Sequence, residues 1–138
     1  TIMAKIRHIA LTTKDPSKAA EFYKEAFEMV EVRRSDNGAV FLSDGYINLA
    51  ILNYKTAATD ADVGPNGDNY DGIHHIGFKV DDLDDACEKL EGAKGRAITT
   101  REGLEAIAPG SPRNFEMKWS GPDDVVIDIS HTGWLTSE

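Results

Sequence analysis

One stretch of sequence occurs twice in this chain of 138 residues. His-Ile-Ala-Leu, beginning at His8, is matched by His-Ile-Gly-Phe, beginning 67 residues later at His75. An aspartate, an alanine and a glutamate follow each stretch at the same offset, as Asp15, Ala19 and Glu21 and then as Asp82, Ala86 and Glu88. A repeat of about half the chain length predicts two copies of one supersecondary unit. Each copy begins with a histidine.

The first copy, module one at about residues 4–54, has the pattern of a βαβββ unit. Residues 5–13 alternate as a strand does, and Asp15-Pro16 is typical of a helix start. Asn37-Gly38 and Asp44-Gly45 predict tight turns between the strands that follow. The predicted elements are strand 5–13, helix 16–28 and strands 30–34, 39–43 and 46–52.

The second copy, module two at about residues 73–131, predicts the same order. Asp81 or Asp82 caps its helix, which ends near Gly92. Residues 55–72 join the modules and are rich in Asp, Asn, Gly and Thr, which predicts a long loop of the kind used as a lid or a partner contact. The predicted elements are strand 73–80, helix 83–91 and strands 96–101, 115–120 and 125–130, with an irregular stretch at 103–114.

Four polar side chains are predicted to share the sheet face that the helices leave uncovered. Side chains alternate between the two faces of a strand, and in each of four strands one face is more uniformly apolar and can cover a helix. The opposite face carries His8, Asn48, His75 and Asp128. A buried carboxylate is costly without a partner, so an arginine or a cation has to compensate Asp128. Two histidines and two oxygen donors at matched positions predict a metal site. By the same alternation His74 faces the helix layer.

Composition and charge exclude several classes of partner. The chain carries 24 acidic and 15 basic residues, a net charge of −9, whereas nucleic acids and anionic membranes are bound mainly through Lys and Arg. No apolar run is long enough to cross a membrane, and the first residues lack the apolar segment of a secretory signal. The single cysteine, Cys87, excludes an internal disulfide and a cysteine-based zinc site. We expect it to be a chemically inert residue of the second helix. The expected location is the cytoplasm.

The chain resembles the vicinal oxygen chelate superfamily, which includes glyoxalase I, extradiol dioxygenases, methylmalonyl-CoA epimerase and the bleomycin and fosfomycin resistance proteins. The resemblance rests on the βαβββ duplication with His8, Phe22-Tyr23, His75 and Val126-Ile-Asp128, and it covers essentially residues 1–138 as a single domain. It implies an α+β fold in which two βαβββ modules form a cupped mixed β-sheet with helices on the outer face. It also implies a homodimer, and it leaves open whether the two histidines meet within one chain or across the dimer.

The resemblance implies a divalent metal ion held by His8, His75, Asp128 and, as the weakest ligand, Asn48. Iron, manganese, cobalt, nickel and zinc all suit such a set. The metal would bind two neighbouring oxygens of a small substrate, for isomerase, lyase or ring-cleaving dioxygenase chemistry. Glyoxalase I carries glutamate where this chain has Asn48, and an amide cannot accept a proton, which argues against that enzyme. The candidate acids and bases are Tyr46, Lys79, Lys118 and His131.

Several alternatives stay open at this point. A metal-free module that binds a drug, as in bleomycin resistance, fits the same pattern, and so does a non-catalytic domain that has lost its ligand. The segment after Asp128 either brings His131 and Trp134 over the mouth of the cup or packs on the sheet edge. Tyr54 and Trp119 either line the pocket or belong to the core.

Overall fold

The computed structural model describes residues 3–54, 69–98 and 116–137. Both halves of the chain follow the predicted order βαβββ. The predicted loop 55–72, the irregular stretch 103–114 and the end of the predicted strand 96–101 lie wholly or largely outside the described residues. The elements are β1 (Ala4–Thr13), α1 (Pro16–Phe27), β2 (Val30–Arg34), β3 (Val40–Ser43), β4 (Asn48–Asn53), β5 (Gly72–Val80), α2 (Leu83–Gly92), β6 (Arg96–Ala97), β7 (Met117–Ser120) and β8 (Val126–Ser130), with a short 3₁₀ turn at Pro122–Asp124.

Both helices begin where the sequence provides a cap. The side chain of Asp15 accepts a hydrogen bond from the backbone N–H of Lys18 at 3.1 Å, and Pro16 occupies the first helical turn. In the second half Asp82 accepts from the N–H of Asp85 at 3.1 Å, so Asp82 is the cap of α2. Each cap satisfies a backbone donor that the first turn of a helix leaves without a partner.

The strands form one eight-stranded mixed sheet in the order β2-β3-β4-β1-β5-β8-β7-β6. The two halves meet where β1 and β5 pair antiparallel, and each of these strands pairs in parallel with the last strand of its own half, β4 or β8. The order of the second half mirrors that of the first about the β1–β5 pair. The duplication therefore places the two histidine-bearing strands side by side in the centre of the sheet.

Both helices pack on one face of this sheet. In the first half Ala20 of α1 is buried against apolar residues of β3 and β4, and in the second Ala86 of α2 is buried against β5, β7 and β8. Trp119 belongs to this second core, which settles its role as core. The opposite face carries His8, Asn48 and Gly77, and we call it the site face. In the described part of the chain no helix is long and apolar enough to span a membrane.

Candidate metal centre

A row of directly opposed residues crosses five neighbouring strands on the site face. The register of the sheet sets this row, because opposed residues on paired strands point to the same side. His75 lies two residues before Gly77 on β5 and therefore shares its face. All four predicted metal ligands thus come together on the site face. In order across the sheet the row is Asn48 (β4), His8 (β1), Gly77 (β5), Asp128 (β8) and Lys118 (β7).

His8, His75 and Asp128 form a compact cluster within one chain. The Nε2 atoms of the two histidines are 3.1 Å apart, and His75 Nε2 is 3.2 Å from Asp128 Oδ2. Ligand atoms bound about 2.1 Å from a metal at tetrahedral or octahedral angles are about 3.0–3.4 Å apart, so these separations fit a metal site. One ligand atom from each residue lies within 4.8 Å of the others, and the residues are only 4%, 4% and 0% exposed.

Both histidines of the cluster are neutral at physiological pH. Burial, which disfavours the charged imidazolium, lowers the pKa of His8 to about 4. Burial also lowers the pKa of His75 well below its usual value, and the nearby charge of Lys118 adds to this effect. A neutral imidazole has a free ring nitrogen, which is the form that binds metal ions.

Asn48 fixes which nitrogen of His8 is free. Its Nδ2 donates a hydrogen bond to the carbonyl oxygen of Leu135 at 2.7 Å, which sets the orientation of the amide. Its Oδ1 lies 2.8 Å from His8 Nδ1 and can only accept, so Nδ1 carries the proton. The lone pair of His8 is then on Nε2, the atom that faces the cluster.

His75 has an imidazole partner of its own. Sequence alternation predicts that His74 faces the helix layer, yet its Nδ1 reaches to within 2.8 Å of His75 Nδ1. A proton held between these two atoms on the His75 side leaves His75 Nε2 free to act as a ligand. His74 is therefore placed to orient His75.

Lys118 compensates the charge of Asp128. Its Nζ lies 2.8 Å from Oδ1 and 2.9 Å from Oδ2 of this fully buried carboxylate. The sequence predicts an arginine or a cation beside Asp128. The structure places Lys118 there, a residue that the sequence suggests only as an acid or base. Because both oxygens contact Lys118 and Oδ2 also faces His75, the carboxylate is held in one orientation.

Two further residues lie on the site face. Trp134 takes the position over the cup that the sequence leaves as one of two alternatives, and Glu116 is not predicted from the sequence. The Trp134 indole stacks on the His8 ring with centroids 4.6 Å apart and planes 3° apart, and its Nε1 donates to Glu116 Oε1 at 2.6 Å. Burial, followed by the charge of Asp128, raises the pKa of Glu116 to about 7. The signal for Glu116 is its spacing of two from Lys118, which places both on one face of the strand.

The remaining candidate acids and bases take other positions. Tyr46 is half-exposed, and its ring lies under the Arg7 guanidinium at 4.0 Å. Lys79 is exposed and lies beside Gly133, while His131 is exposed just after β8. Tyr54 donates a hydrogen bond from its hydroxyl to Asp71.

Gly77 provides the space that the indole occupies, and its replacement tests this packing. A Cβ at this position would lie 2.7 Å from the Trp134 ring and 2.8 Å from His8 Cβ. We expect Gly77→Ala to lower the free energy of unfolding by about 1–3 kcal/mol, as overpacking does. Gly92→Ala is the control, because apart from its chain neighbours and the backbone of its own helix no atom lies within 4 Å of its added Cβ. Urea denaturation measures both variants, and a Gly77→Ala protein as stable as the parent would contradict this packing.

Comparison with known proteins agrees with this architecture. The model of the Glyoxalase/Bleomycin resistance protein/Dioxygenase superfamily matches residues 5–105. A search of curated proteins finds no significant match. At 16% identity, a hypothetical protein from Bacillus halodurans C-125 has a similar structure, with a TM-score of 0.65 over 98% of this chain and 99% of that one.

Two enzymes also have similar structures. Methylmalonyl-CoA epimerase from Mycobacterium tuberculosis is 18% identical, with a TM-score of 0.60 over 91% of this chain and 85% of that one. A 2,3-dioxygenase from Pseudomonas sp. KL28 is 19% identical, with a TM-score of 0.61 over 91% of this chain and 40% of that one. At such identities the likeness shows a shared fold. Because the family model matches most of its length, the chain belongs to the Glyoxalase/Bleomycin resistance protein/Dioxygenase superfamily.

Proposed function

We propose that this protein is a metal-dependent enzyme in which His8, His75 and Asp128 hold one divalent metal ion: iron, manganese, cobalt, nickel or zinc. The observation that carries this proposal is the convergence of two neutral imidazole nitrogens and one carboxylate oxygen at separations of 3.1 and 3.2 Å. Two histidines and a carboxylate with open positions also suit Fe(II) oxygen chemistry. When bound, such an ion supplies a Lewis acid for two neighbouring oxygens of a small substrate.

The surrounding side chains orient the ligands. Asn48 and His74 hold the rings of His8 and His75, and Lys118 holds Asp128. The partners of the two histidines fix their tautomers and raise their basicity as ligands, whereas Lys118 fixes the orientation of the carboxylate. Asn48 is predicted to be a fourth, weaker ligand, and direct coordination through its oxygen requires the amide to release His8 Nδ1.

Glu116 is the best-placed proton carrier. Its carboxyl shares a hydrogen bond with Asp128 and accepts another from Trp134, so it lies beside the cluster. An isomerase needs a group that gives or takes a proton next to the chelated carbon. We assign that role to Glu116 ahead of Tyr46, Lys79 and His131.

The proposed reaction is an isomerase or lyase step or a ring-cleaving oxygenation. We also propose that the protein is a homodimer.

A metal-free small-molecule binding protein is the second candidate. The observation that favours it is the ion pair between Lys118 and Asp128, which neutralises the buried carboxylate without a metal ion. In that case the site face would bind its ligand through neutral histidines, Glu116 and Trp134.

Metal content separates the two candidates. We expect protein purified without a chelating tag to carry, or after dialysis to take up, one equivalent of divalent metal per chain. Elemental analysis measures the bound metal, and calorimetric titration of the dialysed protein with Mn²⁺, Fe²⁺, Co²⁺, Ni²⁺ and Zn²⁺ measures its uptake. A folded protein that binds none of the five overturns the enzyme proposal in favour of the metal-free one. Diols would be the first substrates to screen if iron is found.

A further inference from the structure

The segment after β8, residues 131–137, crosses the site face, and we call it the strap. It starts beside β8, passes over β5 and β1, and reaches β4 and β3. The strap is held mainly by side-chain contacts and is not a strand of the sheet. In chain order its contacts are Gly133 N–H to Ser130 Oγ (3.1 Å), the Trp134 ring on His8 (4.6 Å between centroids), Leu135 O to Asn48 Nδ2 (2.7 Å) and Ser137 Oγ to Ser43 Oγ (3.5 Å).

We propose that the strap positions His8, through Leu135 acting on Asn48 and through Trp134 stacked on its ring, so that docking of the strap completes the site. The inference rests on the proposed role of His8 as a ligand. Leu135 and Trp134 act through other residues and are therefore positioning residues.

The carbonyl of Leu135 in the strap sets, through Asn48, which nitrogen of His8 carries the proton. An asparagine amide can present either its oxygen or its nitrogen to a neighbour. The carbonyl of Leu135 can only accept, so it turns the Asn48 nitrogen towards itself and the oxygen towards His8. Without the strap carbonyl the amide is free to turn over and donate from Nδ2 to His8 Nδ1. That arrangement favours the other tautomer, in which Nε2 carries the proton and cannot bind a metal ion.

Trp134 holds the plane of the His8 imidazole. Trp134 lies parallel to the His8 ring within 3°, over Gly77, whose missing side chain makes room for the indole. Rotation of the imidazole about its own bonds would break this stacking. The ring is thus held at its edge by Asn48 and across its face by Trp134.

The strap also reaches the carboxylate side of the cluster. Trp134 also donates to Glu116, which in turn bonds Asp128. The strap therefore contacts the outer partners of both His8 and Asp128. Loss of outer partners of this kind typically weakens metal binding about 10- to 100-fold.

The tautomer of His8 in the metal-free protein is the direct test. Long-range ¹H–¹⁵N spectra of ¹⁵N-histidine-labelled protein at pH 7 distinguish a proton on Nδ1 from one on Nε2. We expect the Nδ1–H form in the parent protein. We expect a mixture of both forms in Trp134→Ala, which removes the stacked ring that holds the adjacent Leu135 carbonyl at Asn48, and in a variant that lacks residues 131–138. Leu135→Ala is the matched control, because it keeps the carbonyl oxygen that Asn48 contacts and changes a half-exposed side chain.

Zn²⁺ binding is the second readout. We expect its dissociation constant to rise about 10- to 100-fold in Trp134→Ala and in the shortened chain, and to stay unchanged in Leu135→Ala. If the parent binds no Zn²⁺ while the tautomer still shifts, the metal proposal fails and the positioning role of the strap is supported. If His8 keeps its proton on Nδ1 in a folded Trp134→Ala protein, the inference is overturned. Circular dichroism establishes folding, so the point variant decides even if the shortened chain does not fold.

Discussion

Tight binding of one divalent metal ion is expected to be lost when His75 is replaced by alanine. His75 Nε2 is the central atom of the cluster, 3.1 Å from His8 Nε2 and 3.2 Å from Asp128 Oδ2. Its removal leaves one histidine and one carboxylate, too few to hold an ion against water. We expect the dissociation constant to rise more than about 100-fold, beyond the effect of losing an outer partner. Calorimetric titration of the dialysed protein with Zn²⁺ or Mn²⁺ measures the change.

His131→Ala is the control for this experiment. It removes an exposed imidazole from the surface just after β8 and should leave metal binding unchanged. Because His75 is buried, its loss also creates a small cavity, so the thermal midpoint of each variant is measured alongside affinity. His8→Ala, on the neighbouring strand β1, should raise the dissociation constant for the metal ion in the same way. Retention of the parent affinity in both histidine variants would contradict the assignment of the cluster as the metal site.

The grouping of the candidate site residues on one face of the sheet could be predicted because it depends on local rules. The repeat identifies His8 and His75 as equivalent residues. Alternation along the strands then assigns Asn48 and Asp128 to the same face as the histidines. The repeat needs only a comparison of two stretches of sequence, and alternation acts over a few neighbouring residues, so neither depends on how distant strands pair. The match of the family model confirms the resemblance to the superfamily, and the sheet topology confirms the α+β order of two βαβββ modules.

The partners of these residues could not be predicted, because they depend on pairing and on irregular backbone. Lys118 meets Asp128 only through the register of β7 against β8, which the intervening turn sets. Trp134 follows the last strand in a segment without periodicity, so the sequence leaves open whether it lies over the cup or on the sheet edge, and its contact with His8 is seen only in the structure. Glu116 is the exception, because its spacing of two residues from Lys118 places both side chains on one face of a strand. The structure therefore adds the outer contacts of the site to a ligand set that alternation proposes.

Removal of the Lys118 charge is expected to destabilise the metal-free protein strongly. Lys118→Met keeps most of the side-chain volume and leaves the fully buried Asp128 without its ammonium partner. Breaking a buried pair from one side typically costs about 3–5 kcal/mol, because the other charge stays buried. Urea denaturation of the metal-free variant at pH 7 measures the loss. Lys79→Met is the control: it replaces an exposed lysine of β5 on the site face and should change the free energy of unfolding by no more than about 0.5 kcal/mol.

The response of Lys118→Met to metal then decides between the two proposed functions. If Asp128 is a metal ligand, a divalent ion replaces the missing positive charge, and metal at 100 times its dissociation constant restores about 2.7 kcal/mol of stability. The variant should also bind the ion more tightly than the parent, because a competing cation beside the ligand is gone. A variant that is destabilised but gains nothing from Zn²⁺ or Mn²⁺ would mean that Lys118 is itself the permanent cation of the site. The protein would then act as a metal-free binder, with the ammonium in the place that a metal ion takes in the enzyme proposal.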